Sequence, residues 1–398
     1  MQLFHDAALS HPGWLPLVVL AVVAGIAALG LGRMKAGCAL ALGACALGLL
    51  SAQRFEPWFN AVNQGATGRD TIRLVLSFGA LSWLGGILAE GGAAARLSGA
   101  FAGTAPGVRA VLEPLAAGFL PPSSPPPRAG GAIRAPEEGW FSGIPALAFP
   151  VGTTLVLAAA AGGLSLLEAA RTLAPLALAL LAVGVLCFAP REKLSLSWPD
   201  MGTVALVLFP AVLAVALALL LPQREIPEIR AADFLHRTAE GLAGLATPLT
   251  AGALLGGLVA ASGLGLGPAV LMKLLKRAFS ADLLALAAGA RILQQVATVP
   301  GPSDQTPAGA TMEALSRLGP AAPLMILVIP AAIAFLASDA AIAIACAIPF
   351  LLVAGGGPAF TLICAGAWLG AALSPRNSRR ALALPVSLGA LAAAVLCR

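Results

Sequence analysis

In the stretch ADLLALAAGARILQQVATVP, residues 281–300, an arginine stands inside an otherwise Leu/Ala run, with polar side chains recurring from it at helical intervals. Gln294 and Gln295 fall at i+3 and i+4 from Arg291, and Thr298 at i+7, so a helix here carries all four on one face. If Asp282 marks a membrane boundary, Arg291 lies about 13 Å further along the axis. A guanidinium at that depth is costly in lipid and must face protein or water. Its planar fork suits a carboxylate or phosphate, so one chemistry on offer is capture of a substrate's anionic group. Two structural roles compete with it: snorkelling to an interface from a shallow hairpin, or pairing with a carboxylate that serves the fold.

The elements that must position these residues are interrupted helices. From Arg109 to Leu164 the chain reads as an apolar approach, a Pro/Ser/Gly break and a second apolar run. Such a break frees backbone N–H and C=O groups that hydrocarbon cannot satisfy, so it has to line protein or water. Transporters build binding sites from segments of this kind. A second interrupted segment covers 281–308, and the two stand in register with an internal repeat. Leu84-Gly85-Gly86-Ile87-Leu88-Ala89 returns as Leu255-Gly256-Gly257-Leu258-Val259-Ala260, an offset of 255 − 84 = 171. Leu115-Ala116-Ala117-Gly118 returns as Leu286-Ala287-Ala288-Gly289 at the same offset, and Gln53-Arg54 with Pro57 as Gln223-Arg224 with Pro227 one residue off it. Three matches in order argue for duplication, with residues 1–171 and 172–398 as the two halves and broken segments 110–135 and 281–308 at a shared centre. Whether the halves are inverted or parallel turns on whether the first break crosses the membrane. Subtracting 171 from Gln294 and Gln295 lands on Ser123 and Ser124, a polar pair at the first break. A helix end exposed there would add backbone N–H donors for an anion.

Composition places these segments in a bilayer. With 59% hydrophobic and 11% charged residues, and a mean hydropathy of +0.91, the chain has too little polar surface for a soluble globule. The expected fold is an all-α polytopic membrane protein of about eleven transmembrane helices plus two re-entrant or broken segments, several runs being shorter than the roughly 20 residues of an untilted crossing. Residues 53–71 read as a polar connection, 144–163 as one span, 91–109 as an interfacial arm, and Lys273, Lys276 and Arg277 as a basic arm. The net charge of +6 sits mostly between apolar runs, which speaks for topology rather than nucleic acid, and the turn at 33–35 is expected inside the cell. The six cysteines stand singly, as packing residues. The histidines, His5, His11 and His236, lie outside the spans, and no nucleotide-loop, zinc-protease or serine-nucleophile word occurs. Neither an enzyme nor any metal or cofactor is therefore expected.

A family resemblance sharpens the reading. The order of Arg109, Pro114, Gly118-Phe119-Leu120-Pro121, Gly130-Gly131-Ala132, Ala135-Pro136, Trp140-Phe141 and Phe149-Pro150 with Gly152, closed by Leu373-Ser374-Pro375, resembles a prokaryotic family of integral membrane proteins. That family belongs to the ion transporter superfamily, with the gluconate, citrate and dicarboxylate permeases and the large subunits of TRAP transporters. The resemblance implies a homodimer with scaffold and transport domains, inverted repeats and re-entrant hairpins in the cell inner membrane. It also implies that Ser374 and Asn377 face the transport cavity, whereas a Pro-marked helix end with Arg376, Arg379 and Arg380 at the headgroups is the plainer alternative. The chain departs from the family at Pro122 to Arg128, at Ser142-Gly143 in place of Arg-His, and at Asn377-Ser378 in place of a His-containing word. The function expected is a secondary transporter, or permease, for a small anionic organic solute, working by alternating access and coupled to sodium or protons. The alternative is a membrane-embedded enzyme or assembly subunit acting on a lipid-linked substrate.

Overall fold

An apolar chain in hydrocarbon has to bond its backbone within each segment, and helices are the local solution. The computed structural model describes residues 15–29, 33–121, 136–150, 152–188, 198–220, 247–301, 304–337, 339–352, 356–373 and 379–397, and among them helices are joined by turns and short irregular links, with no strand. In chain order the helices are α1 (Leu15–Leu29), α2 (Arg33–Leu50), α3 (Phe55–Thr67), α4 (Arg69–Glu90), α5 (Ala93–Ala100), α6 (Pro106–Gly118), α7 (Pro136–Ala148), α8 (Thr153–Gly162), α9 (Leu166–Phe188), α10 (Met201–Leu220), α11 (Pro248–Gly263), α12 (Pro268–Ala278), α13 (Ala281–Ala297), α14 (Pro307–Ser316), α15 (Ala322–Ala337), α16 (Ala340–Leu351), α17 (Gly356–Ala372) and α18 (Arg379–Leu396). Among the described residues five helical stretches are long and apolar enough to cross a membrane: Phe55–Glu90, Gly139–Gly162, Leu166–Phe188, Met201–Leu220 and Gly319–Ala337. Shorter apolar helices of 10–17 residues stand beside them, α11, α16 and α17 included. Leu17, Leu42, Leu186, Leu206 and Leu220 are each more than 60% exposed, as lipid-facing side chains are. The protein is an all-α membrane protein.

Two stretches fold differently from the sequence expectation. Residues 53–71 are not a loose connection: α3 forms there, burying Ala61 and Gly65, and Gly65 lies directly on the backbone of Arg291 and Ile292. The run 144–163 lies in the span-length stretch Gly139–Gly162, as expected, but that stretch is interrupted: Pro150 has no N–H to continue α7, and Gly152 takes an extended conformation before α8.

Small residues set how the helices pack. A Cβ on Gly37 would fall into the Ala285 backbone and one on Gly289 into the Gly37 carbonyl, so α2 and α13 touch backbone to backbone. Gly252 and Gly256 seat α11 on the Ala214 and Pro210 carbonyls of α10, which runs antiparallel to it. Gly366 and Gly370 seat α17 on the Leu327 and Ala331 carbonyls of α15.

The helices carrying the repeated words, α4 and α11, lie side by side. Ser77 meets Thr247 and Thr250, Trp83 and Ile87 meet Gly257, and Gly91 meets Leu264, so the register advances together and the pair is parallel. The inverted arrangement that the resemblance implies makes equivalent helices antiparallel, and it does not hold for this pair. After the turn at Gly265 (φ 65°), α12 comes back down α4, Leu274 against Gly86 and Phe279 against Gly79. The Trp83 indole Nε1–H donates to the Leu271 carbonyl at 3.2 Å, tying that return.

Candidate functional site

Helix α13 continues the descent begun by α12 and brings Arg291 level with the first turn of α4. There the guanidinium, 12% exposed, donates through Nη2 to Asp70 Oδ2 at 2.9 Å. Through Nη1 it donates to Gln294 Oε1 at 2.6 Å and to the Ala160 carbonyl at 3.3 Å. Gln294 Nε2 in turn donates to the Ala161 carbonyl at 2.7 Å. Ala160 and Ala161 are the last-turn residues of α8, which Gly163 closes with φ 65°. A helix C-terminus leaves its final carbonyls unbonded and carries partial negative charge, so a cation with an amide beside it is the matching cap. The same rule works at the end of α13, where Gln53 Nε2 donates to the Val296 and Val299 carbonyls, both at 3.0 Å. Two helix ends, those of α8 and α13, are thus bonded by side chains distant from them in sequence.

The polar face read from the sequence divides in two. Arg291 and Gln294 act together on α8. Gln295 is half-buried and Thr298 exposed, and the Thr298 hydroxyl donates to its own helix at the Gln295 carbonyl, 2.8 Å. Arg291 pairs with Asp70 and not with Asp282. Depth could not be counted from Asp282, because α12 has already carried the chain back along α4 before α13 begins. Ser123, Ser124, Ser374 and Asn377 lie outside the described residues, as do the three histidines.

Three participants were not singled out in the sequence as site residues: Asp70, Gln53 and the carbonyls ending α8. Asp70 sits between Arg69 and Arg73, with Arg73 Nη1 3.9 Å from its Oδ1, and it is 64% exposed, so the water-facing part of the Arg291 site is its carboxylate side. The Nε of Arg291 and the Oε1 of Gln53 are buried with no hydrogen-bond partner among the described residues.

A second polar cluster lies between α4 and α11. The hydroxyls of Ser77, Thr247 and Thr250 stand 2.8–3.2 Å apart, Ser77 donates to the Arg73 carbonyl at 2.9 Å, and Thr247 caps α11 by accepting from Thr250 N–H at 3.1 Å. Its oxygens are bonded to one another and sit at a helix N-terminus, whose partial positive charge disfavours a cation. The cluster is a latch between helices. Among the described residues no group of three His, Cys, Asp or Glu side chains comes together.

No protein-family model matches the chain, and no curated protein matches it.

Proposed function

We propose that the protein is a secondary transporter of the cell inner membrane, crossing the bilayer many times and moving a small organic anion by alternating access, coupled to a sodium or proton gradient and assembled as a homodimer. What supports this is a cation held almost out of solvent: Arg291, 12% exposed, binds the Ala160 carbonyl at the end of α8 beside Gln294 and keeps one side of its fork toward the exposed Asp70. An arginine among apolar helices faces protein or a water path, and such groups mark where transporters hold solute. The recurring order of long helix, short arm and helix, α4-α5-α6 and α11-α12-α13, supports duplication of the halves 1–171 and 172–398. In this account an incoming carboxylate competes with Asp70 for the exposed side of the Arg291 fork, so substrate binding is an exchange of counter-ions. The repeat assigns Ser123 and Ser124, and the resemblance Ser374 and Asn377, to the same site, as expectations that lie outside the described residues.

The test is uptake into proteoliposomes, guided by a thermal-shift screen of the purified protein against organic acids, sugar acids and cations. An acid that raises the melting temperature and accumulates under an imposed gradient is the expected result. Arg291→Lys should keep the charge and weaken recognition, because an ammonium cannot present two parallel donors. Conversion of a lipid-linked substrate without accumulation of any solute would transfer the protein to the enzyme class.

A further inference from the structure

A cavity of about 310 Å³ opens where the C-terminal ends of α4 and α11 meet α5 and the stretch Leu206 to Pro210 of α10. Its wall is made of Leu88, Leu206, Phe209, Val259, Leu264 and further small or apolar residues, and one charged side chain reaches it, Arg96 of α5. Arg96 is exposed and forms no ion pair among the described residues. The cavity also has a direction. Asp200, just before α10, has its backbone N–H bonded to the Ala100 carbonyl of α5 at 3.1 Å, so the helix that carries Arg96 sits at the start of α10, ahead of the lining residues Leu206 to Pro210. Along α10 the lining runs from Leu206 to Pro210, about 6 Å on the axis. Leu206, Phe209 and Val259 are 71%, 52% and 45% exposed, so the slot is open sideways along that stretch.

From this geometry we infer that the slot is a binding site for an anionic phospholipid, its phosphate on Arg96 and an acyl chain laid along Leu206, Phe209 and Val259 toward Pro210. A cation beside an apolar furrow that is open sideways matches the charge of such a lipid and the apolar chain attached to it, and a small soluble anion would leave the furrow unfilled. The site is independent of the transport assignment, since neither Arg291 nor any broken segment takes part.

Gly263 supplies a clean probe. It lines the slot, and a Cβ added to it meets nothing within 4 Å, so the side chain of Gly263→Leu starts from open space beside the furrow. Native mass spectrometry of the detergent-solubilised full chain, titrated with phosphatidylglycerol or phosphatidylcholine, reads the site directly. The wild type should retain phosphatidylglycerol about fivefold more strongly, the advantage of one basic contact at a membrane surface. Arg96→Ala should abolish that preference, Arg96→Lys should keep most of it, and Gly263→Leu should remove one bound lipid of either kind while the melting temperature stays at the wild-type value. Equal retention of the two lipids by the wild type would overturn the inference, as would an unchanged preference in Arg96→Ala or an unchanged lipid count in Gly263→Leu. Stabilisation by glycerol phosphate alone, undiminished in Gly263→Leu, would assign Arg96 to a soluble anion and equally overturn it.

Discussion

Replacing Arg291 with alanine separates a side chain that holds the fold from one that only holds a ligand. The change removes three hydrogen bonds in which the donor is charged, to Asp70, Gln294 and the Ala160 carbonyl. Such bonds contribute about 1.5–3 kcal/mol each when both ends are protected from water. The Asp70 bond has to be discounted, because Asp70 is 64% exposed and an ion pair so open to solvent contributes only about 0.2–1 kcal/mol. The Ala160 bond is long, and Gln294 keeps its own contact with Ala161 after the change. Arg291→Ala should therefore cost about 2–4 kcal/mol and Asp70→Ala no more than about 1 kcal/mol, with a coupling of about 0.5–1 kcal/mol in the double-mutant cycle. Thermal melting of the purified protein in detergent, wild type against both singles and the double variant, measures the set. An Arg291→Ala protein that melts with the wild type would refute the reasoning, and if it also lost the stabilisation given by an organic acid, Arg291 would be a pure substrate ligand. Equal losses in the two single variants would refute it differently, by showing that the helix end of α8 gains nothing from the guanidinium.

Gly289→Leu should cost at least about 3 kcal/mol and abolish the folded peak in size-exclusion chromatography, because its side chain must displace the Gly37 carbonyl across a backbone contact. Gly99→Leu, where a Cβ meets nothing, should elute as the wild type does. Asp200 caps α10, accepting from the Thr203 hydroxyl at 2.6 Å and from the backbone N–H groups of Gly202 and Thr203, and the Thr203 hydroxyl is the largest cause holding its carboxyl below the ordinary value. A depressed carboxylate stabilises the fold above its unfolded value and ceases to do so as the pH falls through the folded one. The melting difference between wild type and Asp200→Asn should then be present at neutral pH and close as the pH drops below about 4; a difference that persists in acid would exclude the charge as its source.

The membrane class and the helical content were legible in composition, because 59% hydrophobic residues leave a chain no other way to bond its backbone in lipid. The pairing of Arg291 with Gln294 was legible too, since i and i+3 are neighbours on any helix. Asp70, Ala160 and Ala161 were not, because nothing local links position 291 to residues 221, 131 and 130 positions away. Gln53 drew notice only as part of a repeated word, and a sequence says nothing of which carbonyls an amide will reach. The depth of Arg291 was misjudged for a geometric reason: chain distance from Asp282 measures depth only if α13 starts at a membrane face, and α12 moves that start to the middle of α4. The span around Phe149-Pro150 was legible from its apolar length, and its division into α7 and α8 was not.

The seams between helices differ in what resists their opening. At α15 and α17 the contact at Gly366 and Gly370 is glycine against carbonyl, so drawing those positions apart gives up mainly dispersion, and lipid tails restore much of that. At α4 and α11 every increment of sliding breaks hydroxyl contacts of Ser77, Thr247 and Thr250 for which lipid offers no substitute. One joint is greased and the other is bolted. Any working stroke of this protein should therefore carry α4 and α11 as a single rigid beam, with slip confined to glycine-faced joints such as that between α15 and α17.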